Sequence, residues 1–128
     1  MPSRRSLGSR SQPSRPRRSR CPVSCTLEVL GDKWTLLVVR DIMRGKHRYA
    51  EFLESPEGIP TNILAERLRR LAARGVITTH RYSQHPPRVE YALTVKGEDL
   101  RPVMQAMVDW GVRHAGGRRP PPVPATTP

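Results

Sequence analysis

The stretch Ile59-Pro60-Thr61-Asn62-Ile63-Leu64-Ala65-Glu66-Arg67-Leu68-Arg69-Arg70-Leu71-Ala72-Ala73-Arg74-Gly75 decides the fold. Leu64, Leu68 and Leu71 recur at the i, i+4, i+7 spacing that gathers side chains on one side of an α-helix. Pro60 or Thr61 opens this helix, and Gly75, free of a Cβ, accepts the left-handed backbone that stops it. At about 100° per residue, with the leucines turned inward, the far side carries Asn62, Glu66, Arg69 and Ala73, flanked by Ala65 and Arg70. Those residue types suit a DNA major groove. Asn makes two hydrogen bonds to adenine, Glu accepts from cytosine N4, Arg pairs with guanine, and Ala touches a thymine methyl. Thr61, Asn62, Ala65, Glu66 and Arg69 are therefore the candidate base contacts. The alternative is a solvated charged face on which Glu66 pairs with Arg70 one turn on.

The flanking sequence supplies a context that a solvated face does not need. Upstream, Pro22 starts a short helix with Val23, Leu27 and Leu30 on one side, and Gly31 ends it. Asp32 caps a second helix, Lys33 to Met43, apolar on nearly every side and so expected to be the central buried one; Gly45 ends it. A third short helix, Tyr49 to Leu53, leads through a turn at Ser55, Pro56 and Gly58 into the leucine helix. Downstream, Val76 to Tyr82 and Arg88 to Leu93 read as an antiparallel hairpin around the polar, proline-stiffened loop Ser83 to Pro87. Thr94 caps a last helix with Leu100, Val103, Met104, Met107, Val108 and Gly111 at spacings of three and four, and Pro102 bends it near its start. Two helices joined by a tight turn and followed by a ribbon make a winged helix-turn-helix, a mainly α fold with one small β-hairpin. In this plan His85 and Arg88 reach backbone phosphates or the minor groove from the wing, and Arg48 holds a phosphate at the start of the third helix. Lys46 and His47 are weaker candidates.

With 128 residues there is room for one modest core. The net charge of +12 and a pI near 11.3 point to a polyanionic partner. Residues 1–20 hold seven arginines and no acid, and residues 116–128 hold Arg118 and Arg119, which leaves +3 for residues 21–115. The first end has almost no apolar side chains and the second is rich in Gly and Pro, so both are expected to be disordered tails around a single domain at 21–115. Arg4-Arg5 imitates an export signal, but no apolar run follows it. No stretch approaches the ~20 apolar residues of a membrane span, so a cytoplasmic chain with no membrane partner is expected. Two cysteines there do not make a disulfide framework, and Cys-x-x-x-Cys without a second pair is no metal site. No phosphate-cradling glycine loop or Ser/His/Asp set is found, and His47, His80, His85 and His114 have no evident acid partner, so neither a cofactor nor an enzymatic activity is expected.

The last helix, with Met104, Met107, Val108, Trp110 and Val112, has more apolar surface than so small a domain can cover, and a second copy is the natural partner. Two copies place two reading helices about one DNA turn apart, on a palindromic site. Cys21 stands at a helix start beside Arg18 and Arg20, an environment that favours thiolate. Cys25 lies one turn on; a disulfide inside an intact turn is strained, so a cross-subunit bond or a thiol adduct is the better expectation than a bond between the two, and simple buried packing is the standing alternative to sensing for either cysteine.

Residues 21–113 resemble the HxlR-type winged helix-turn-helix regulators, relatives of the MarR group. The resemblance rests on Cys21-Pro22, Gly31-Asp32-Lys33-Trp34, Arg48-Tyr49-Ala50-Glu51-Phe52-Leu53, Gly58 to Leu64, Arg67-Leu68-Arg69-Arg70-Leu71, Pro86 to Thr94 and Trp110-Gly111, in one order. Departures are Asp32 for a common Gly, Tyr49-Ala50 for Phe and a polar residue, and Pro60 for a common Ser. The resemblance implies a homodimeric transcriptional regulator of duplex DNA, paired through its first and last helices. It also implies an oxidant, electrophile or other small-molecule effector, since some members sense through a cysteine at the position of Cys21. The rival function is a nonspecific or architectural nucleic-acid binder driven by the basic tail.

Overall fold

The computed structural model describes residues 19–119, in two units that divide between Gly31 and Asp32. The expected tails lie outside these residues except for 19–20 and 116–119. In the first unit α1 spans Pro22–Leu30 with Cys21 at its N-cap and Pro22 in the first turn, where a missing N–H forfeits no hydrogen bond. Of the face expected from Val23, Leu27 and Leu30, only Leu30 is buried; Val23 and Leu27 are 66% and 57% exposed.

The second unit runs α2 (Thr35–Met43), α3 (Tyr49–Leu53), α4 (Thr61–Ala73), β1 (Ile77–Gln84), β2 (Pro87–Leu93), α5 (Val95–Glu98) and α6 (Arg101–His114). It is mostly helical with one two-stranded antiparallel sheet, as expected. Asp32 caps α2 by accepting the backbone N–H groups of Trp34 and Thr35 at 2.9 and 3.1 Å, so the helix begins two residues later than Lys33. Val38, Val39 and Met43 from α2 meet Phe52, Ile59, Leu64, Leu68, Leu71, Val76 and Ile77 in one apolar cluster. The Tyr91 ring stands edge-on to Phe52 at 6.0 Å.

Inside α2 the apolar pattern hides a buried charge. Asp41 and Ser55 are 5% and 7% exposed, and the Ser55 hydroxyl donates to the Asp41 carboxylate. Arg40 bridges Asp41 at 2.8 Å and Glu57 at 2.8 and 2.9 Å, and Lys46 Nζ donates to Ser55 Oγ at 3.0 Å. A buried carboxylate without such partners is strongly destabilising. The network joins the end of α2 to the turn that leads into α4.

The β-ladder runs from Ile77↔Leu93 to Gln84↔Pro87 with an irregularity between Arg81 and Ser83. It is longer than the expected strands, and the loop expected over Ser83 to Pro87 shrinks to a turn at His85 and Pro86. Polar side chains at the tip give no apolar alternation from which to extend the expected strands, yet backbone pairing does not need it. The chain before α3 joins the ribbon through an Arg48↔Glu90 bridge and a 2.8 Å bond from Tyr91 N–H to the His47 carbonyl.

The expected last helix is two helices. Thr94 Oγ1 caps only α5, accepting from Gly97 N–H at 3.1 Å, and the chain restarts as α6 at Arg101. Pro102 is the reason: it has no N–H to offer the Glu98 carbonyl, and its ring disfavours a continuous helix there but suits a new first turn. Gly97 is buried at the same junction, where a Cβ would collide with the Val76 carbonyl oxygen.

Candidate nucleic-acid interface

In α4 the inward stripe is where its spacing puts it: Leu64, Leu68 and Leu71 are 0%, 2% and 1% exposed. Thr61, Asn62, Ala65, Arg69 and Ala73 are exposed on the other side, with Glu66 half-buried among them. Pro60 occupies the N-cap without a side-chain bond, and Thr61 is the first helical residue. Tyr49 Oη donates to the Thr61 carbonyl at 2.8 Å, which fixes the amino end of α4 against α3. At the other end Gly75 takes φ +76°.

The arginines of α4 divide into two sets. Arg67 Nε and Arg70 Nη2 each reach Asp32 at 3.0 Å, one to each carboxylate oxygen. Glu66 pairs with Arg67 and, at 3.6 Å, with Arg69, so the expected alternative pairing of Glu66 with Arg70 is replaced by Asp32 drawing Arg70 away. Burial alone would raise the Asp32 carboxyl, yet bonds from Thr35, Arg67 and the Trp34 and Thr35 backbone hold it well below the usual carboxylate range. The Arg69 side chain stays 73% exposed.

On the wing His85 and Arg88 are exposed beside the hairpin turn. Arg48 is exposed but engaged: its guanidinium donates to Glu90 at 2.9 and 3.1 Å and lies 4.2 Å over the Tyr82 ring. Glu51 accepts the His47 and Arg48 backbone N–H groups at 2.8 and 3.0 Å and thereby closes the start of α3. Lys46 is spent on Ser55. His47 does have acid neighbours, Glu51 at 3.7 Å and Glu90 at 3.6 Å, contrary to expectation; Glu51 stands four residues on in α3 itself, and Glu90 is brought by folding β2 against the α3 start. The Asp32 fork and the Glu90–Tyr82 hold on Arg48 have no local sequence signal, since their partners lie more than 30 residues apart.

Cys21 is exposed at the start of α1, where the Ser24 and Val23 backbone N–H groups lower its thiol pKa. Cys25 is half-buried, its Sγ 3.6 Å from the Ser19 carbonyl. On α6, Val103, Met107 and Trp110 are 39%, 51% and 63% exposed and form an apolar strip with Pro102 and Ala106. Among the described residues no His/Cys/Asp/Glu group is arranged to hold a metal, and no helix is long and apolar enough to cross a membrane.

Residues 29–118 match the HxlR-like helix-turn-helix family. The chain belongs to that family. This HxlR-type chain is 40% identical over 94 residues to YdeP of Bacillus subtilis, named as an uncharacterized HTH-type transcriptional regulator, with 73% of each chain covered. It is 39% identical over 87 residues to another such regulator, sll1512 of Synechocystis, covering 68% of this chain but only 64% of that relative's length. The redox regulator HypR in its reduced form superposes with a TM-score of 0.69 at 37% identity, over 74% of this chain and 94% of HypR. The HxlR-type chain is thus a DNA-binding transcriptional regulator with a winged helix-turn-helix fold, not an enzyme.

Proposed function

We propose that this regulator acts as a homodimer and reads a specific DNA sequence with the exposed face of α4. Thr61, Asn62, Ala65, Glu66 and Arg69 meet base edges, and His85 and Arg88 on the wing meet phosphates or the minor groove. Arg48, whose side chain stays 49% exposed beside Glu90 and Tyr82, serves as a phosphate contact at the start of α3. The observation that carries this reading is the two-sidedness of α4: three fully buried leucines anchor it while Asn62 and Arg69 face outward. The exposed strip on α6 and the exposed Val23 and Leu27 on α1 are the surfaces through which two copies pair. Cys21 serves as the thiol switch: its exposure and lowered pKa favour attack on an oxidant or electrophile, and HypR, a structural relative, is by name a redox regulator. Cys25 then supplies a partner sulfur for a cross-subunit bond or stays packed.

Selection of bound fragments from random duplex DNA, with and without a thiol oxidant, tests both parts. The expected result is an inverted repeat with half-sites about 10 bp apart, whose enrichment changes on oxidation and does not change in Cys21→Ser. Equal recovery of every sequence contradicts the base-reading face and favours a nonspecific binder.

A further inference from the structure

Helix α4 and its C-cap carry four arginines within eight residues, Arg67, Arg69, Arg70 and Arg74, and they are not equally placed. Arg67 and Arg70 lie on the flank turned toward the start of α2, and both reach the single carboxylate of Asp32 at 3.0 Å, Arg67 with a second nitrogen also on Glu66. Asp32 also receives the Trp34 and Thr35 N–H groups and the Thr35 hydroxyl, so five donors from two helices converge on its two oxygens. The cap anchors the carboxylate, and the anchored carboxylate fixes the two guanidinium groups. Arg67 and Arg70 are 19% and 38% exposed at the side chain, against 73% for Arg69. A long arginine side chain on the flank of a helix lying in a groove is otherwise well placed to reach the phosphates of the groove wall, and such contacts add affinity without sequence information.

We infer that Asp32 is a specificity-determining positioning residue: it withholds Arg67 and Arg70 from the DNA backbone, so that α4 discriminates through Asn62, Glu66 and Arg69. This rests on α4 being the DNA-reading helix. Asp32 touches no base itself; it acts through the two arginines. In a chain with net charge +12 such restraint matters, because every freed cation raises binding to all sequences alike.

The salt dependence of binding to a random duplex reads the number of phosphates neutralised, at a slope of about −0.9 per phosphate in log K against log [salt]. Asp32→Asn keeps the oxygen that caps α2 and removes the charge. The expected slope steepens by about 1 to 2, equivalent to roughly four- to sixteenfold more affinity lost between 50 and 200 mM salt, and the ratio of operator to random affinity falls. Adding Arg67→Gln and Arg70→Gln to Asp32→Asn returns the slope to that of wild type. In the Asp32-containing protein the Arg67→Gln/Arg70→Gln pair leaves the slope unchanged, a readout that does not depend on Asp32→Asn folding. A slope unchanged or shallower in Asp32→Asn, or one shallower by about 2 in the Arg67→Gln/Arg70→Gln protein, overturns the inference. Because the slope is taken on random DNA, it is independent of whether wild type prefers an operator; absence of that preference counts instead against α4 as a base reader.

Discussion

Leu68, 2% exposed between Leu64 and Leu71, holds α4 to the core, while Arg69, its neighbour, points to solvent. Leu68→Ala removes the buried isopropyl end of the side chain and leaves a cavity, which lowers the unfolding free energy by about 2–5 kcal/mol in urea titrations. Glu57 sets a pH dependence of a different kind. Arg40 holds its carboxyl at about 2, below the ordinary 4.5. A carboxyl whose pKa is depressed in the folded state contributes stability above the unfolded value and loses it as pH falls through the folded one. The urea midpoint therefore falls between about pH 4.5 and 2, and Glu57→Gln makes that decline shallower. Measuring midpoints for the two proteins across this window checks the assignment; identical profiles contradict it.

Among the elements, the wing and α4 are expected to fail differently. Replacing His85 and Arg88 with alanine weakens binding to operator and random duplex alike and makes the salt slope shallower by about 1 for each phosphate no longer neutralised, measured by anisotropy titration. A weakening confined to one sequence would reassign these residues from phosphates to bases. The same two elements show what a sequence makes legible. The α4 stripe is read from three leucines because its period is local, and the candidate base contacts follow from the opposite side of the same wheel. The length of the wing is not, since pairing of Gln84 with Pro87 is made by backbone groups under polar side chains. Nor is the interruption between α5 and α6 wholly local: Pro102 marks it, but Gly97 is required by the Val76 carbonyl two elements away. The apolar character of the α1 and α6 faces is plain from their spacing, whereas the exposure of Val23, Leu27, Met107 and Trp110 in the single chain is a property of the fold. Asp32, Arg67 and Arg70 escape any local reading because 35 and 38 residues separate the partners.

For the whole molecule, charge and association are the quantities to test. Deleting residues 1–20, with their seven arginines, lowers affinity for all DNA while leaving the ratio between operator and random duplex intact; a collapse of that ratio would mean the tail itself supplies specificity. If two copies pair as proposed, Trp110→Glu, at a position 63% exposed on the α6 strip, turns the dimer into a monomer in sedimentation equilibrium without loss of helical signal; a wild type that is already monomeric contradicts the pairing. Base reading by the outward face of α4 is tested by titrating wild type and Asn62→Ala on a selected operator and on a scrambled duplex of the same length at one salt concentration. Asn62→Ala is expected to lose about 1–3 kcal/mol of discrimination, nearly all of it on the operator. Equal weakening on both duplexes, or no sequence preference in wild type, contradicts it.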